Sequence, residues 1–186
     1  MNHYRAFYPI YKLAAKKMCL DCQDFIKKGS KVLDLGCGCG IVGKTFQDFF
    51  RAEVLGVDIK DYRVSSLPFQ IYDGFHLLFP DDSFDTVLIN YVLHHSEDPV
   101  VLLKEAKRTA KGKIIIYEDL LDDFFSSLFC KIHGISFTKL IGDYNKASFK
   151  SEEEWENIFD KIGLNVIFKK RISSLPVKKE FFVLGA

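Results

Sequence analysis

Between residues 31 and 51 the chain changes period. Lys31-Val-Leu-Asp-Leu35 is a short, mostly apolar run with the composition of a buried strand, and Gly36-Cys-Gly-Cys-Gly40 follows at once. Ile41 to Arg51 then reads as a helix. Glycines at alternate positions let the backbone turn sharply and approach a ligand with no side chain in the way. Such a turn sits at the carboxyl end of its strand, where open α/β sheets bind their ligands. This one segment therefore commits the chain to βα units, a largely parallel sheet and helices on both faces.

The flanking sequence agrees. Residues 4–26 have three-to-four spacing of apolar positions, with Pro9 set to divide them into two helices and Gly29 to end them. Glu53-Val-Leu-Gly-Val57 reads as a second strand ending at Asp58. Pro68 to Tyr72 is a weak third, Phe84 to Asn90 a fourth and Lys113 to Tyr117 a fifth. Pro99 to Thr109 is a helix with Glu97 and Asp98 at its positive end. Ser151-Glu-Glu-Glu154 is a capping box, and it opens a helix that Gly163 closes. Leu164 to Arg171 and Lys179 to Leu184 are two strands joined by Ser-Ser-Leu-Pro. Strands that close together pair antiparallel, because a parallel return needs a crossover. Seven strands are expected, mostly parallel, ending in an antiparallel hairpin.

At 186 residues the chain has the size of a single domain, 1–186, able to bury a core without disulfides. Lys+Arg is 26 against Asp+Glu 25, so no overall field draws it to nucleic acid or an acidic membrane. The short basic clusters, Lys16-Lys17 among them, read as solvated faces. No run is long and apolar enough to span a bilayer, and the N-terminus lacks the pattern of a secretory signal. An odd five cysteines without an export signal read as free thiols in a reducing cytoplasm. Cys19 and Cys22 form C-x-x-C. Set beside Cys37 and Cys39 they suggest a thiolate zinc site, but one pair lies on a helix and the other in the glycine turn, so no metal is expected.

Two acids flank the glycine turn. Asp34 lies in the strand before it, and Asp58 ends the next strand, where a carboxylate can accept both hydroxyls of a ribose. A rival frame exists: Gly38-Cys-Gly40-Ile-Val-Gly43 is G-x-G-x-x-G, and Asp58 lies 20 residues after Gly38, the dinucleotide fingerprint. Against that frame, Asp34 would repel a pyrophosphate but suits the ammonium of a methionyl tail. The glycine nearest the strand is Gly36, and an antiparallel sheet end is not the usual dinucleotide pattern. The residues favour S-adenosylmethionine. An NAD(P)-dependent oxidoreductase and a non-catalytic S-adenosylmethionine-binding protein stay as the alternatives.

Asp34-Leu-Gly-Cys-Gly-Cys-Gly40, Gly56-Val-Asp58-Ile59, Phe84-Asp-Thr-Val-Leu88 and Val92-Leu-His-His-Ser-Glu-Asp-Pro99 together resemble the successive motifs of class I S-adenosylmethionine-dependent methyltransferases, nearest the broad type 11 group. The resemblance covers residues 30–118 well and the rest more loosely. It implies a Rossmann-like three-layer α/β sandwich. It also implies that Gly36, Cys37, Gly38 and Gly40 line the methionine and ribose, with Asp34 near the amino group. Asp58 would bind the ribose hydroxyls, and Ile59 would pack on the adenine. Asp73, followed by Gly74, would accept the adenine amino group, and Asn90 and Tyr91 would border the transferred methyl. The chain departs from the family at Lys111-Gly112, where a Lys-Pro-Gly-Gly turn is usual. It also has Leu77-Leu-Phe-Pro80 where leucine-proline-phenylalanine is usual.

Methyl transfer from a sulfonium is an in-line displacement, so alignment is the main task and a base serves only acceptors that must lose a proton. His95 and Glu118 are the candidates for catalysis. His94, Tyr91 and Asp119 also lie near the expected site; the histidine pair reads equally as packing beside the cofactor, with His95 the one placed to line the site, and Glu118 and Asp119 read as strand-end acids that meet either substrate or water. Residues 1–28 are expected to form a helical lid carrying Tyr4, Arg5 and Tyr8. The Phe-rich segment 120–149 is a helical insertion placed to cap an apolar small-molecule substrate, or else to cover core or form a dimer face.

Overall fold

A computed structural model describes residues 3–121, 148–172 and 178–186 of the chain. Seven strands form one sheet in the order β3-β2-β1-β4-β5-β7-β6. They are β1 (Lys31–Leu35), β2 (Glu53–Asp58), β3 (Phe69–Ile71), β4 (Phe84–Asn90), β5 (Ala110–Asp119), β6 (Asn165–Ile172) and β7 (Lys179–Gly185). The first five run parallel; β7 lies antiparallel between β5 and β6. The expected architecture and the reversed hairpin are both present. The Ser-Ser-Leu-Pro connection at 173–176 lies outside the described residues, as does most of the Phe-rich segment 120–149.

Alternation along the strands builds the three layers. Leu33, Leu35, Val87, Ile89, Ile114, Ile116, Phe182 and Leu184 face one side, against helices α4 (Pro99–Thr109) and α5 (Glu152–Lys161). Val32, Val54, Leu88, Ile115, Tyr117, Phe181 and Val183 face the other, against α2 (Tyr8–Asp21) and α3 (Ile41–Phe50). Burial on both faces is why the parallel strands read as nearly continuous apolar runs.

Asp98, expected only as an acid at the positive end of its helix, goes further. Asp98 caps α4 by accepting from the backbone of Val100 and Val101. Ser151 and Glu154 make the reciprocal capping box of α5. Pro9 sits in the first turn of α2 and separates it from α1 (His3–Ala6). The helical stretch expected to reach residue 26 ends earlier, at Asp21. Cys22 accepts from Phe25 and Ile26 in a tight turn instead, and this brings Cys22 and Ile26 into the core. Among the described residues no helix is long and apolar enough to cross a membrane.

Candidate cofactor site

The register aligns the site. Leu35 stands level with Val57 on β2 and with Ile89 on β4, so the glycine turn leaves β1 beside Asp58 and Asn90. Strand order reverses direction between β1 and β4, the crevice where such sheets take ligands.

The glycines are required for two different reasons. Gly36 has φ +73, and a side-chain carbon there would come within 2.5 Å of Val92. Gly38 has φ +51, and a side-chain carbon there would meet no atom within 4 Å. One glycine lets the chain pass Val92, and the other opens the backbone to a ligand. Gly43, third glycine of the rival frame, has an internal duty: a side-chain carbon would fall 2.5 Å from the Asp34 carboxylate. Its smallness seats α3 against an acid rather than preparing a diphosphate cradle.

Asp34 is buried on the α3 side of β1. Its Oδ1 lies 3.5 Å from the Asn90 amide, and its Oδ2 has no hydrogen-bond partner, although the Gly43 backbone approaches it. Burial, and then the negative charge of Asp58, push its carboxyl up to about 7; Gly43 and Asn90 pull weakly the other way. A buried acid in that condition gains from a cation brought beside it. Asp58 is half-buried at the end of β2. Its Oδ2 accepts from the Gly38 amide (2.8 Å) and its Oδ1 from the Ile59 amide (2.8 Å), which fixes the carboxylate.

Ile59 is 48% exposed, a large apolar side chain next to Asp58 in the chain. A side-chain carbon at Gly74 would touch it at 3.3 Å, so the β3 exit loop lies against Ile59. Asp73 is exposed. Its Oδ1 accepts from the amides of Phe75 and His76, and its Oδ2 pairs with the His76 ring. These bonds hold the carboxyl at about 2. Asp73 thus shapes its own turn, whatever else it binds. Beyond it, Arg108 on α4 grips the carbonyls of Leu77 and Phe79, and Glu105 accepts from Leu77 N. The unusual Leu-Leu-Phe-Pro run is anchored to α4 in this way. Tyr91 has φ +57, an uncommon backbone for a side-chain-bearing residue, and Lys179 stands 4.5 Å over its ring.

Two features went unnoticed in the sequence. The β2–β3 loop clasps the glycine turn: Val64 N donates to Cys39 O, Ser65 Oγ donates to Gly40 O, and Arg63 is pinned by Asp61 and Leu67 O. Nothing in the spacing marks these residues. The second concerns the histidines. His94 is held by a buried acid. It is 1% exposed, its Nδ1 bonds to Glu118 Oε1, and its ring stacks on Phe149 at 4.4 Å. Its Nε2 is buried without a partner. Burial opposes protonation of His94, but the Glu118 charge and hydrogen bond outweigh it, so the imidazole is held above its ordinary pKa. Glu118 is fully buried and also accepts from the amides of Leu93 and Asp119. Of the two readings of Glu118, a strand-end acid that meets substrate or one that meets water, the second does not hold, because its own strand and the Leu93–His95 turn enclose it. His95 is half-buried, with its ring 4.1 Å from that of His94.

The N-terminal segment reaches this site. Burial, followed by the nearby Cys39, Tyr11, Tyr62 and Asp58, raises the Tyr4 phenol to about 12. Cys19 and Cys22 are pushed by burial to about 12, so neither is a thiolate at neutral pH.

A family model described as a methyltransferase domain matches residues 1–168. A sterol 24-C-methyltransferase of Aspergillus fumigatus is 32% identical over 135 residues, covering 64% of this chain and 36% of that protein. A demethylmenaquinone methyltransferase of Staphylococcus aureus is 28% identical over 151 residues, covering 70% of this chain and 59% of that one. The chain thus spans less than two thirds of the length of these relatives. The solved magnesium protoporphyrin IX methyltransferase of Synechocystis, with bound SAH, superposes with a TM-score of 0.69 at 18% identity, covering 94% and 83% of the two chains. With a family match over nine-tenths of its length, and the glycine turn and two acids set as described, the chain belongs to the class I S-adenosylmethionine-dependent methyltransferases.

Proposed function

We propose that the chain transfers the methyl group of S-adenosylmethionine to a small, apolar acceptor in the cytoplasm. The observation that carries this reading is the buried Asp34 carboxyl, with an unpartnered oxygen, one strand away from Asp58. The guest that suits such a pair is a nucleoside with a cationic tail and no phosphates. Asp34 would take the ammonium. Gly36, Cys37, Gly38 and Gly40 would line the tail and ribose, and Asp58 the ribose hydroxyls. Ile59, with Gly74 behind it, would be the shelf for the adenine, and Asp73 would reach its amino group. Asn90 and Tyr91 would border the methyl. When bound, the cofactor supplies a methyl on sulfur already activated for displacement.

Residues 1–28 would close over this pocket as a lid, supported by Tyr4 beside Cys39 and Asp58. Residues 120–149 would cap the acceptor. For an acceptor that must lose a proton, His94 is the better base: Glu118 orients it, and its Nε2 is uncommitted. His95 would stand beside it, and Glu118 would act only through it. The sterol and quinone acceptors named for two relatives support a small apolar acceptor here. A net charge of +1 supports the absence of a nucleic-acid substrate. The test is incubation with methyl-labelled S-adenosylmethionine and a cell lipid extract. Label recovered in the organic phase is expected. Label found only in protein or RNA, or no transfer at all, would refute the proposal.

A further inference from the structure

A helix packed on a domain by one face normally shows polar residues on the other. α2 does not. Its inner face is Ala15, Met18 and Cys19, all buried. Its outer face carries Ile10, Leu13 and Leu20, which are 65%, 71% and 56% exposed. With Lys17 these positions fall within about 80° of arc, opposite the buried face. An apolar stripe held out to water along three turns of a basic helix marks a surface that is covered in use.

Charge identifies what covers it. The first twenty residues contain Arg5, Lys12, Lys16 and Lys17 and no acid, in a chain whose net charge is only +1. Lys16 borders the stripe along one edge, with Lys12 beyond it on the same side, and Lys17 lies within the stripe, its long stem able to lie along apolar surface while its ammonium reaches outward. Among the described residues no carboxylate pairs with these three lysines. The basic run on β6 is different: Lys169 is paired with Glu152 and Glu156, Lys170 with Asp21, and Arg171 with Glu152 and Glu180. Lys16 and Lys17 are exposed, as a solvated face requires, and exposed apolar side chains stand beside them.

We infer that the outer face of α2, built on Ile10, Leu13 and Leu20 with Lys12, Lys16 and Lys17, docks the protein on an anionic lipid surface. The apolar stripe enters the headgroup boundary and the lysines meet the negative headgroups. This docking does not rest on the methyl-transfer reading, and its test needs no turnover.

The test is co-sedimentation of the full chain with vesicles of phosphatidylcholine alone, and with vesicles containing about one-third phosphatidylglycerol. Three lysines predict a preference for the anionic vesicles on the order of a hundredfold, lost at about 0.5 M salt. Leu13→Glu/Leu20→Glu should abolish pelleting. Lys16→Gln/Lys17→Gln should weaken it on the order of thirtyfold and gives the answer even where the glutamate variant fails to fold. Far-UV circular dichroism and the urea-unfolding midpoint report that each variant is folded. Equal partition into neutral and anionic vesicles, or unaltered binding by the lysine variant, overturns the inference. So does a concentration-dependent dimer in sedimentation velocity that the glutamate variant abolishes, since the face would then serve a second copy.

Discussion

Asp34 makes S-adenosylhomocysteine binding depend on pH in a direction that can be worked out. Its carboxyl is raised from 3.8 to about 7. Only the ionised form attracts the ligand's ammonium. At pH 6 about one Asp34 in ten is ionised, and at pH 7.5 about three in four. Affinity should therefore rise about eightfold over that interval, about 1.2 kcal/mol, while the ligand's amine stays protonated. Binding at pH 7 should release about half a proton, read by calorimetry in buffers of different ionisation enthalpy. Stability without ligand moves oppositely. The unfolded chain loses this proton near pH 4 and the folded one near pH 7, so folding free energy declines as pH rises between them, by on the order of a few kcal/mol. Asp34→Asn should flatten both profiles and weaken binding at pH 7.5 by roughly ten- to a hundredfold, the worth of a charged hydrogen bond. Wild-type affinity that stays level from pH 6 to 7.5, with no proton released, would refute the electrostatic argument.

Three further outcomes follow from the geometry. Glu118→Gln leaves a buried imidazole without its counter-charge and should cost about 3–5 kcal/mol in urea unfolding. Because His94 is raised, its stabilising contribution is present below pH 6.5 and fades as pH climbs through the folded-state pKa, so the difference between wild type and Glu118→Gln should shrink in alkaline buffer. Gly36→Ala meets both a left-handed φ and the 2.5 Å approach to Val92, and should lose about 2–4 kcal/mol of stability together with ligand binding. Ser151→Ala should lower stability by about 1 kcal/mol in urea unfolding, because it removes the side-chain acceptor of the capping box that starts α5.

What the sequence disclosed was set by locality. The Gly36–Gly40 turn, Asp98 at its helix start, the Ser151 cap and the antiparallel hairpin each depend on residues a few positions apart, and each stands where the pattern put it. Asp34 and Asp58 were legible because strand ends in a parallel sheet are neighbours by topology. The residues left open are those whose environment comes from elsewhere in the chain. Glu118 stands near a strand end, where spacing alone left substrate and water equally open, and the Leu93–His95 turn covers it from 25 residues away. His94 and His95 are chemically identical in sequence, and only the direction of the turn gives His94 to Glu118. The clasp of Val64 and Ser65 on the glycine turn uses backbone groups that any residue carries. The outer face of α2 was hidden because apolar residues on both sides of a helix blur its periodicity, and spacing alone does not say which side meets the sheet.

The central claim is that two carboxylates at the ends of β1 and β2 hold a nucleoside with a cationic tail. Calorimetric titration of the wild type and Asp58→Ala with S-adenosylhomocysteine, and of the wild type with NADP, tests it most directly. The account predicts saturable binding of S-adenosylhomocysteine, weakened at least about tenfold (about 1.4 kcal/mol) in Asp58→Ala, and no binding of NADP. Unchanged affinity in the variant, or binding of NADP alone, would contradict it.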